Sequence, residues 1–335
     1  MKPSSFDRVA GVELADPALR DELERGLAEV EALLHREVQS EFQFLTETSL
    51  HLVDAGGKRF RPMFTLLAGQ FGSGGSQDVV RAAAVVELIH LATLYHDDVM
   101  DEATMRRGAV SANARWDNTV AILTGDFLFA HASRLVADLG PEAVRIIATT
   151  FAELVTGQMR ETLGPRHGAD PVEHYLAVVA EKTGSLIATA GRYGAMFSGA
   201  GQPQTNALRR FGDVIGTAFQ ISDDIIDIAS PAAESGKTPG TDLREGVKTL
   251  PMLYALADRG PAAERLTELL SEPLTDDALV AEALDLLRTS GGLERGMRNL
   301  HSYAEMARAE LAVLPDCPAR EALSSLTDYL VARTG

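Results

Sequence analysis

The sequence predicts an all-α protein, a single large helical bundle, on three observations. Apolar residues recur at spacings of three and four through most of the 335 residues. The stretches between these runs are short and rich in Gly, Pro and Ser, as in "GQFGSGG" (69–75), "GPRHGADP" (164–171), "SGAGQPQ" (198–204) and "SPAAESGKTPGTD" (230–242). No run of alternating apolar and polar residues marks a strand, no low-complexity linker divides the chain, and no short repeat has a solenoid period. With 45% apolar residues the chain can bury a full core, and it is expected to form one domain over residues 1–335.

The first helix is announced by "DPALRDELERGLAEVEALLHREV". Asp16 is placed to cap it and Pro17 to occupy its first turn. Leu19, Leu23, Leu27, Val30 and Leu34 then share one face. Ser76 can cap a second helix over Gln77–Tyr95, rich in Ala, Val and Leu. Further helices are read at about 119–139, 142–163, 172–197, 205–229, 276–289 and 293–313.

Composition excludes several function classes. A net charge of −17 argues against nucleic acid as a partner, because duplex binding needs a basic face. Cys317 is the one cysteine, so no intramolecular disulfide can form and a reducing cytoplasm is expected. The N-terminal residues lack the apolar core of a secretory signal. No stretch approaches the roughly 18 uncharged apolar residues of a membrane span.

Against this background, "HDDVMDEATMRRG" (96–108) is anomalous: three aspartates end an apolar helical run and two arginines follow. The pattern recurs as "DDIID" at 223–227, again near the end of an apolar helical run. On a helix, residues four apart lie on one face, so Asp97 points with Asp101 and Asp223 with Asp227. Asp98 and Asp224 sit about a third of a turn round. Like charges so placed in apolar surroundings need a cation. Oxygen ligands without His or Cys suit Mg²⁺, which favours phosphate oxygens as co-ligands. The two copies are read as two facing sites; the plainer alternative is two solvated acidic helix ends. His96 is read as a hydrogen-bonded neighbour of the triad, with metal ligation as the alternative.

The basic residues cluster correspondingly. "GGKRFRP" (56–62) gathers Lys58, Arg59 and Arg61 in one turn, with Pro62 suited to a helix start. Arg106 and Arg107 follow the first triad, "EKTGS" holds Lys182 and Thr183, and Lys237 and Lys248 follow the second triad. Arg forks and Lys point charges hold diphosphates, and Gly56–Gly57 allows close backbone approach. Alone, such a basic turn is usually only solvated, and it lacks P-loop spacing. Together with two carboxylate metal sites it fits recognition of a leaving diphosphate.

The set "GGKRFRP", "HDDVMDEATMRRG", "GD" at 125–126, "KT" at 182–183, "FQISDDIIDI" and "GKTPGTDLREGVKTLP" resembles the trans-isoprenyl diphosphate synthases, or polyprenyl synthetases, over about residues 25–330. The resemblance implies that Asp97, Asp98, Asp101, Asp223, Asp224 and Asp227 hold Mg²⁺ on an allylic diphosphate. It implies that Arg106, Lys182, Thr183, Gln220 and Lys237 contact that diphosphate. Lys58, Arg61, His90 and Arg107 match the pocket for isopentenyl diphosphate; the plainer reading of His90 is a core histidine. Where family members often carry Lys directly after "EG", this chain has Val247, with Lys248 one place later. A one-residue shift turns a helical side chain by about 100°, so Lys248 is not counted among the ligands.

The implied chemistry is head-to-tail condensation. The allylic C–O bond ionises, the double bond of isopentenyl diphosphate attacks the cation, and a proton leaves to the departing diphosphate. The allylic primer would be geranyl, farnesyl or geranylgeranyl diphosphate. Thr93 and Ala92, four and five residues before Asp97, stand where short-chain members tend to carry a bulky floor. Their small size implies an open path past Leu88, Ile89 and Val85, with Phe127 and Phe129 as lower floors. With about 5.4 Å per helical turn, roughly one isoprene unit, the product is expected to have about seven to nine units. Close helix packing is the alternative role of Ala92, and a geranylgeranyl- or farnesyl-length product the alternative outcome. A homodimer is expected from the resemblance. A terpene cyclase, a non-catalytic partner subunit and a carboxylate metal-storage bundle are the competing classes. The second DDxxD, the retention of nearly all the basic contacts and the finding of no Glu-x-x-His pairs placed for such a bundle count against them in turn.

Overall fold

The computed structural model describes residues 8–9, 12–229 and 239–334, and helices dominate them. A short hairpin, β1 (Arg8–Val9) with β2 (Val12–Glu13), precedes α1 (Pro17–Glu37), α2 (Gln43–Asp54), α3 (Phe60–Gly69) and α4 (Gln77–Met100). A second hairpin, β3 (Met105–Arg106) with β4 (Ala109–Val110), leads to α5 (Ala112–Arg115), α6 (Asn118–Ala137), α7 (Pro141–Leu163) and α8 (Pro171–Val179). A π-helical turn (Ala180–Gly184) joins α8 to α9 (Ser185–Phe197), and α10 spans Gln202–Ala229. There follow α11 (Thr241–Glu245), α12 (Leu250–Leu256), α13 (Pro261–Leu269), α14 (Asp277–Thr289), α15 (Gly291–Leu311) and α16 (Pro318–Ala332).

The chain divides into two compact units. One comprises Met1–Ala152, Leu186–Gly212 and Glu310–Ser325; the other Glu153–Ser185, Asp213–Ala309 and Leu326–Gly335. In the first, α4 is the central helix and packs chiefly on α6, then on α3 and α1. Its Val79, Val80, Val85, Leu88, Ile89 and Leu91 are buried, as is Glu87. Gly125 lets α6 approach closely: a Cβ there would collide with the His96 ring and lie 3.0 Å from the Ala92 carbonyl oxygen. In the second unit a separate core forms around Ile228, Leu243, Met252, Leu266, Leu284 and Leu287.

Capping follows the local signals. Asp16 accepts from the Leu19 N–H at 2.7 Å, and Ser76 from the Val79 N–H at 3.2 Å. The expected end of α4 at Tyr95 falls short, because the helix runs on through Asp97 and Asp98 to Met100. Acids in a last turn oppose the helix dipole, by about 0.3–1 kcal/mol each. Here Arg106 pairs with Asp98 and offsets that cost. The helix expected over 172–197 contains the π turn, and α2, α5, α11, α12, α13, α16, both hairpins and the extent of α3 beyond its start went unread. Pro62 lies in the first turn of α3, whose N-cap is Arg59.

By length and composition α4 and α6 could each cross a membrane, although each carries charges along its length. Of their most apolar windows, 72% of the residues in α4 and 39% of those in α6 are buried.

Candidate active site

In the first unit the acidic and basic motifs converge on the end of α4. The hairpin β3–β4 turns through Arg107 and Gly108, with φ of 53° and 77°. Positive φ at both central positions is what a two-residue hairpin turn of the favoured hand requires. Arginine there is strained, and the turn delivers two guanidinium groups to the site. Arg106 Nε donates to Asp98 Oδ1 at 2.5 Å, and Arg106 Nη2 lies 3.7 Å from Asp101 Oδ2. Asp98 is fully buried, and burial raises its carboxyl above the usual range against the pull of Arg106. Its second oxygen, Oδ2, has no hydrogen-bond partner. A buried carboxylate oxygen so placed can accept a cation, and it fits the metal chemistry read from the sequence. Asp97 is part-exposed on the same helix end, and Asp101 is exposed.

Of the four residues expected to share a pocket, Lys58, Arg61, His90 and Arg107, the last three lie near one another. Lys58 is exposed. Arg107 Nη1 donates to the carbonyls of Leu52 (3.1 Å) and Gly56. Arg61 is recessed, its Nε lacks a partner, and burial lowers its pKa. His90 lies in the same recess. Burial first, then the charges of Arg61, Arg107, Arg59 and Arg106, push its pKa well below that of a free imidazole. A neutral ring among arginines can donate a hydrogen bond to a phosphate oxygen without adding charge. Arg59, which the sequence grouped with these, serves the fold: Glu31, Glu87 and the carbonyls of Gly56 and Val53 hold its guanidinium.

In the second unit each aspartate of the other triad is held by a different element. Arg333 pairs with Asp223 at 2.8 Å, while its Nε donates to Ser222 Oγ at 2.6 Å and its guanidinium lies over Phe219. The Tyr175 hydroxyl and Gln220 Nε2 (3.0 Å) donate to Asp224. Burial pushes Asp224 up to about 6, against the pull of those two hydrogen bonds. Asp227 accepts from the N–H groups of Thr241 (3.1 Å) and Asp242 (3.2 Å), and so caps α11. Lys182 and Thr183 occupy the π turn, a local insertion that re-aims side chains and often marks functional sites. Lys182 donates to Glu161, and Gly157 admits the turn: a Cβ on it would lie 2.6 Å from the Lys182 nitrogen.

Lys237 lies outside the described residues. The 100° argument for Lys248 does not apply, because α11 ends at Glu245, Gly246 takes a φ of 74°, and residues 247–249 are non-helical. His96 Nε2 sits 3.2 Å from the Ile122 carbonyl and 3.4 Å from Asp126, so its ring faces α6. Of the chain-length candidates, Ala92, Leu88 and Ile89 are buried, Thr93 is part-exposed, and Phe127 packs on His131 at 4.2 Å. Among the described residues no three His, Cys, Asp or Glu side chains form a ready-made metal cage. Sequence reasoning missed Glu87, Tyr175 and Arg333. Only Glu87 gave a signal, as a lone acid inside "AAAVVELIHLA".

A family model described as polyprenyl synthetase matches residues 42–287. The chain belongs to the polyprenyl synthetase family. It is a prenyltransferase with the all-α fold of that family. It is 60% identical over 328 residues to a protein of Mycobacterium tuberculosis named nonaprenyl diphosphate synthase, covering 98% of each chain. A crystal structure of geranylgeranyl pyrophosphate synthase from Corynebacterium glutamicum, complexed with calcium and isoprenyl diphosphate, is 53% identical with a TM-score of 0.88. That match covers 97% of this polyprenyl synthetase and 100% of the corynebacterial chain. A decaprenyl diphosphate synthase structure from Rhodobacter capsulatus is 36% identical, with a TM-score of 0.85 and coverage of 95% and 99%.

Proposed function

We propose that this polyprenyl synthetase condenses isopentenyl diphosphate head-to-tail with an allylic diphosphate, using Mg²⁺, to an all-trans product of about seven to nine isoprene units. The observation that carries the reading is the end of α4. There a buried carboxylate with one unpartnered oxygen, Asp98, stands beside Arg106, and a recess lined by arginines and a neutral His90 lies along the same helix.

Asp97, Asp98, Asp101, Asp223, Asp224 and Asp227 would hold the metal. When bound to diphosphate, Mg²⁺ neutralises charge on the leaving group. Asp98 and Asp224, both buried and gripped by neighbouring side chains, orient their triads; Asp97, Asp101 and Asp223 are more open to a ligand. Arg106, Lys182, Thr183, Gln220 and Lys237 take the allylic diphosphate, and Arg106 draws negative charge as the C–O bond ionises. Lys58, Arg61, His90 and Arg107 hold isopentenyl diphosphate. Its double bond attacks the allylic cation, one C–C bond forms, and the proton lost passes to the released diphosphate. The apolar residues of α4 exclude water from that cation.

Small residues at Ala92 and Thr93 and the nonaprenyl name of the 60%-identical relative support the longer product. The geranylgeranyl name of the 53%-identical structure favours a four-unit product as the second reading. Both units contribute residues to the stretch matched by the family model, which supports one catalytic domain. We further propose a cytoplasmic homodimer in which α4 and α6 are protein-covered helices; Ile122 and Leu123, exposed on α6, suit a subunit contact. The test is the initial rate with Mg²⁺, isopentenyl diphosphate and farnesyl diphosphate for the wild type, Asp97→Ala and Asp223→Ala. A loss of about a hundredfold or more in each variant is expected. Wild-type rates in both would contradict the assignment.

A further inference from the structure

Glu87 is a carboxylate with 2% of its side chain exposed, in the middle of an apolar helix. Its Oε1 accepts from Arg59 Nη1 at 2.9 Å and lies 3.7 Å from Arg107 Nη2. Its charge also reaches Arg61. A buried carboxylate without a partner costs several kcal/mol, so this helix position exists only with its arginines.

Both arginines that Glu87 touches are backbone-strained. The described residues include three non-glycine residues at positive φ: Arg59 at 48°, Glu102 at 49° and Arg107 at 53°. Conformations of this kind persist only where side-chain contacts over-determine them. Arg59 is fully engaged by two carboxylates and two carbonyls, so it has no free edge for a substrate. It braces the Gly56–Gly57 turn, against which the Arg107 guanidinium packs: a Cβ on Gly57 would lie 2.9 Å from Arg107 Cζ. The chain of contacts therefore runs from Glu31 to Arg59, Glu87 and Arg107.

We propose that Glu87 is the positioning residue of the isopentenyl diphosphate pocket: it fixes Arg107 through a direct contact and through Arg59, and holds Arg59, Arg61 and Arg107 together while the pocket is empty. The guanidinium groups of Arg59, Arg61 and Arg107 repel one another, and together they keep His90 neutral. Glu87 offsets that repulsion without occupying the diphosphate position. The inference rests on the assignment of Arg107 to that pocket.

The test is the KM for isopentenyl diphosphate and, separately, for farnesyl diphosphate, in the wild type, Glu87→Gln, Glu87→Asp and Arg107→Gln. Losing a hydrogen-bonded buried charge predicts that Glu87→Gln raises the KM for isopentenyl diphosphate by about ten- to a hundredfold. The KM for farnesyl diphosphate should stay within about twofold, and Glu87→Asp, which keeps the charge, should recover part of the loss. If Arg107→Gln raises the isopentenyl KM and Glu87→Gln does not, the pocket stands and the positioning role fails. If neither raises it, the pocket assignment itself fails, and the inference with it. Equal rises in both KM values for Glu87→Gln would mean a general structural defect and would overturn the proposal. Should Glu87→Gln not fold, the double variant Glu87→Gln/Arg59→Gln removes the buried pair as a unit and is read against the same outcomes.

Discussion

Replacing Thr93 with Phe tests where the growing chain runs. On α4 the part-exposed residues His90, Thr93 and Asp97 follow at spacings of three and four and form one face. Thr93 stands about 40° round the helix from Asp97 and about 6 Å along it, from 100° and 1.5 Å per residue. Ala92 stands about 140° round, in the buried row with Leu88 and Tyr95. A phenyl ring at Thr93 would thus block the path about one isoprene unit from the diphosphate. Thr93→Phe is expected to yield products of about four units or fewer, read by mass spectrometry after incubation with isopentenyl and farnesyl diphosphates. Ala92→Phe should also shorten the product. Because Ala92 is 1% exposed and packs near Gly125, that variant should also lose about 1–3 kcal/mol through overpacking. An active Thr93→Phe enzyme with unchanged product length would refute the claim that the chain passes this face.

Three other outcomes are expected. His90 has a depressed pKa when folded, so the unfolded chain binds more protons below about pH 6.5 and stability falls as pH drops through that value. Urea titrations should show a wild-type loss of up to about 1.4 kcal/mol per pH unit there that His90→Gln lacks; parallel curves would contradict it. Gly125→Ala pushes a methyl group into His96 and should cost about 1–3 kcal/mol, seen as a lower melting temperature; an unshifted melt would mean α4 and α6 tolerate separation. Tyr175→Phe removes a donor to a buried carboxylate and should cost about 1.5–3 kcal/mol in chemical denaturation, with equal midpoints as the disproof.

Local features were legible in the sequence because their causes are local. The Asp16–Pro17 start of α1 needs only neighbours in sequence. The π turn was illegible because a one-residue insertion leaves the 3.6-residue apolar period of 172–197 almost intact. Short helices such as α11 and α12 carry too few periodic positions to stand out. The triads themselves could be read, but what grips them could not. Tyr175 lies 49 residues from Asp224, and Arg333 lies 111 from the Ser222 it binds beside Asp223. Arg59 shows the same limit from the other side. Its place in "GGKRFRP" suggests a phosphate ligand, and only the fold brings Glu31 and Glu87 to engage it.

The central claim is most directly tested by the products that purified protein makes from Mg²⁺, isopentenyl diphosphate and farnesyl diphosphate, resolved by mass spectrometry. The account predicts a ladder that ends at one all-trans diphosphate of about seven to nine units, the length expected from about one unit per open helical turn. A product that stops at geranylgeranyl diphosphate would contradict the open path past Ala92 and Thr93. No elongation by folded protein would contradict the proposed condensation itself.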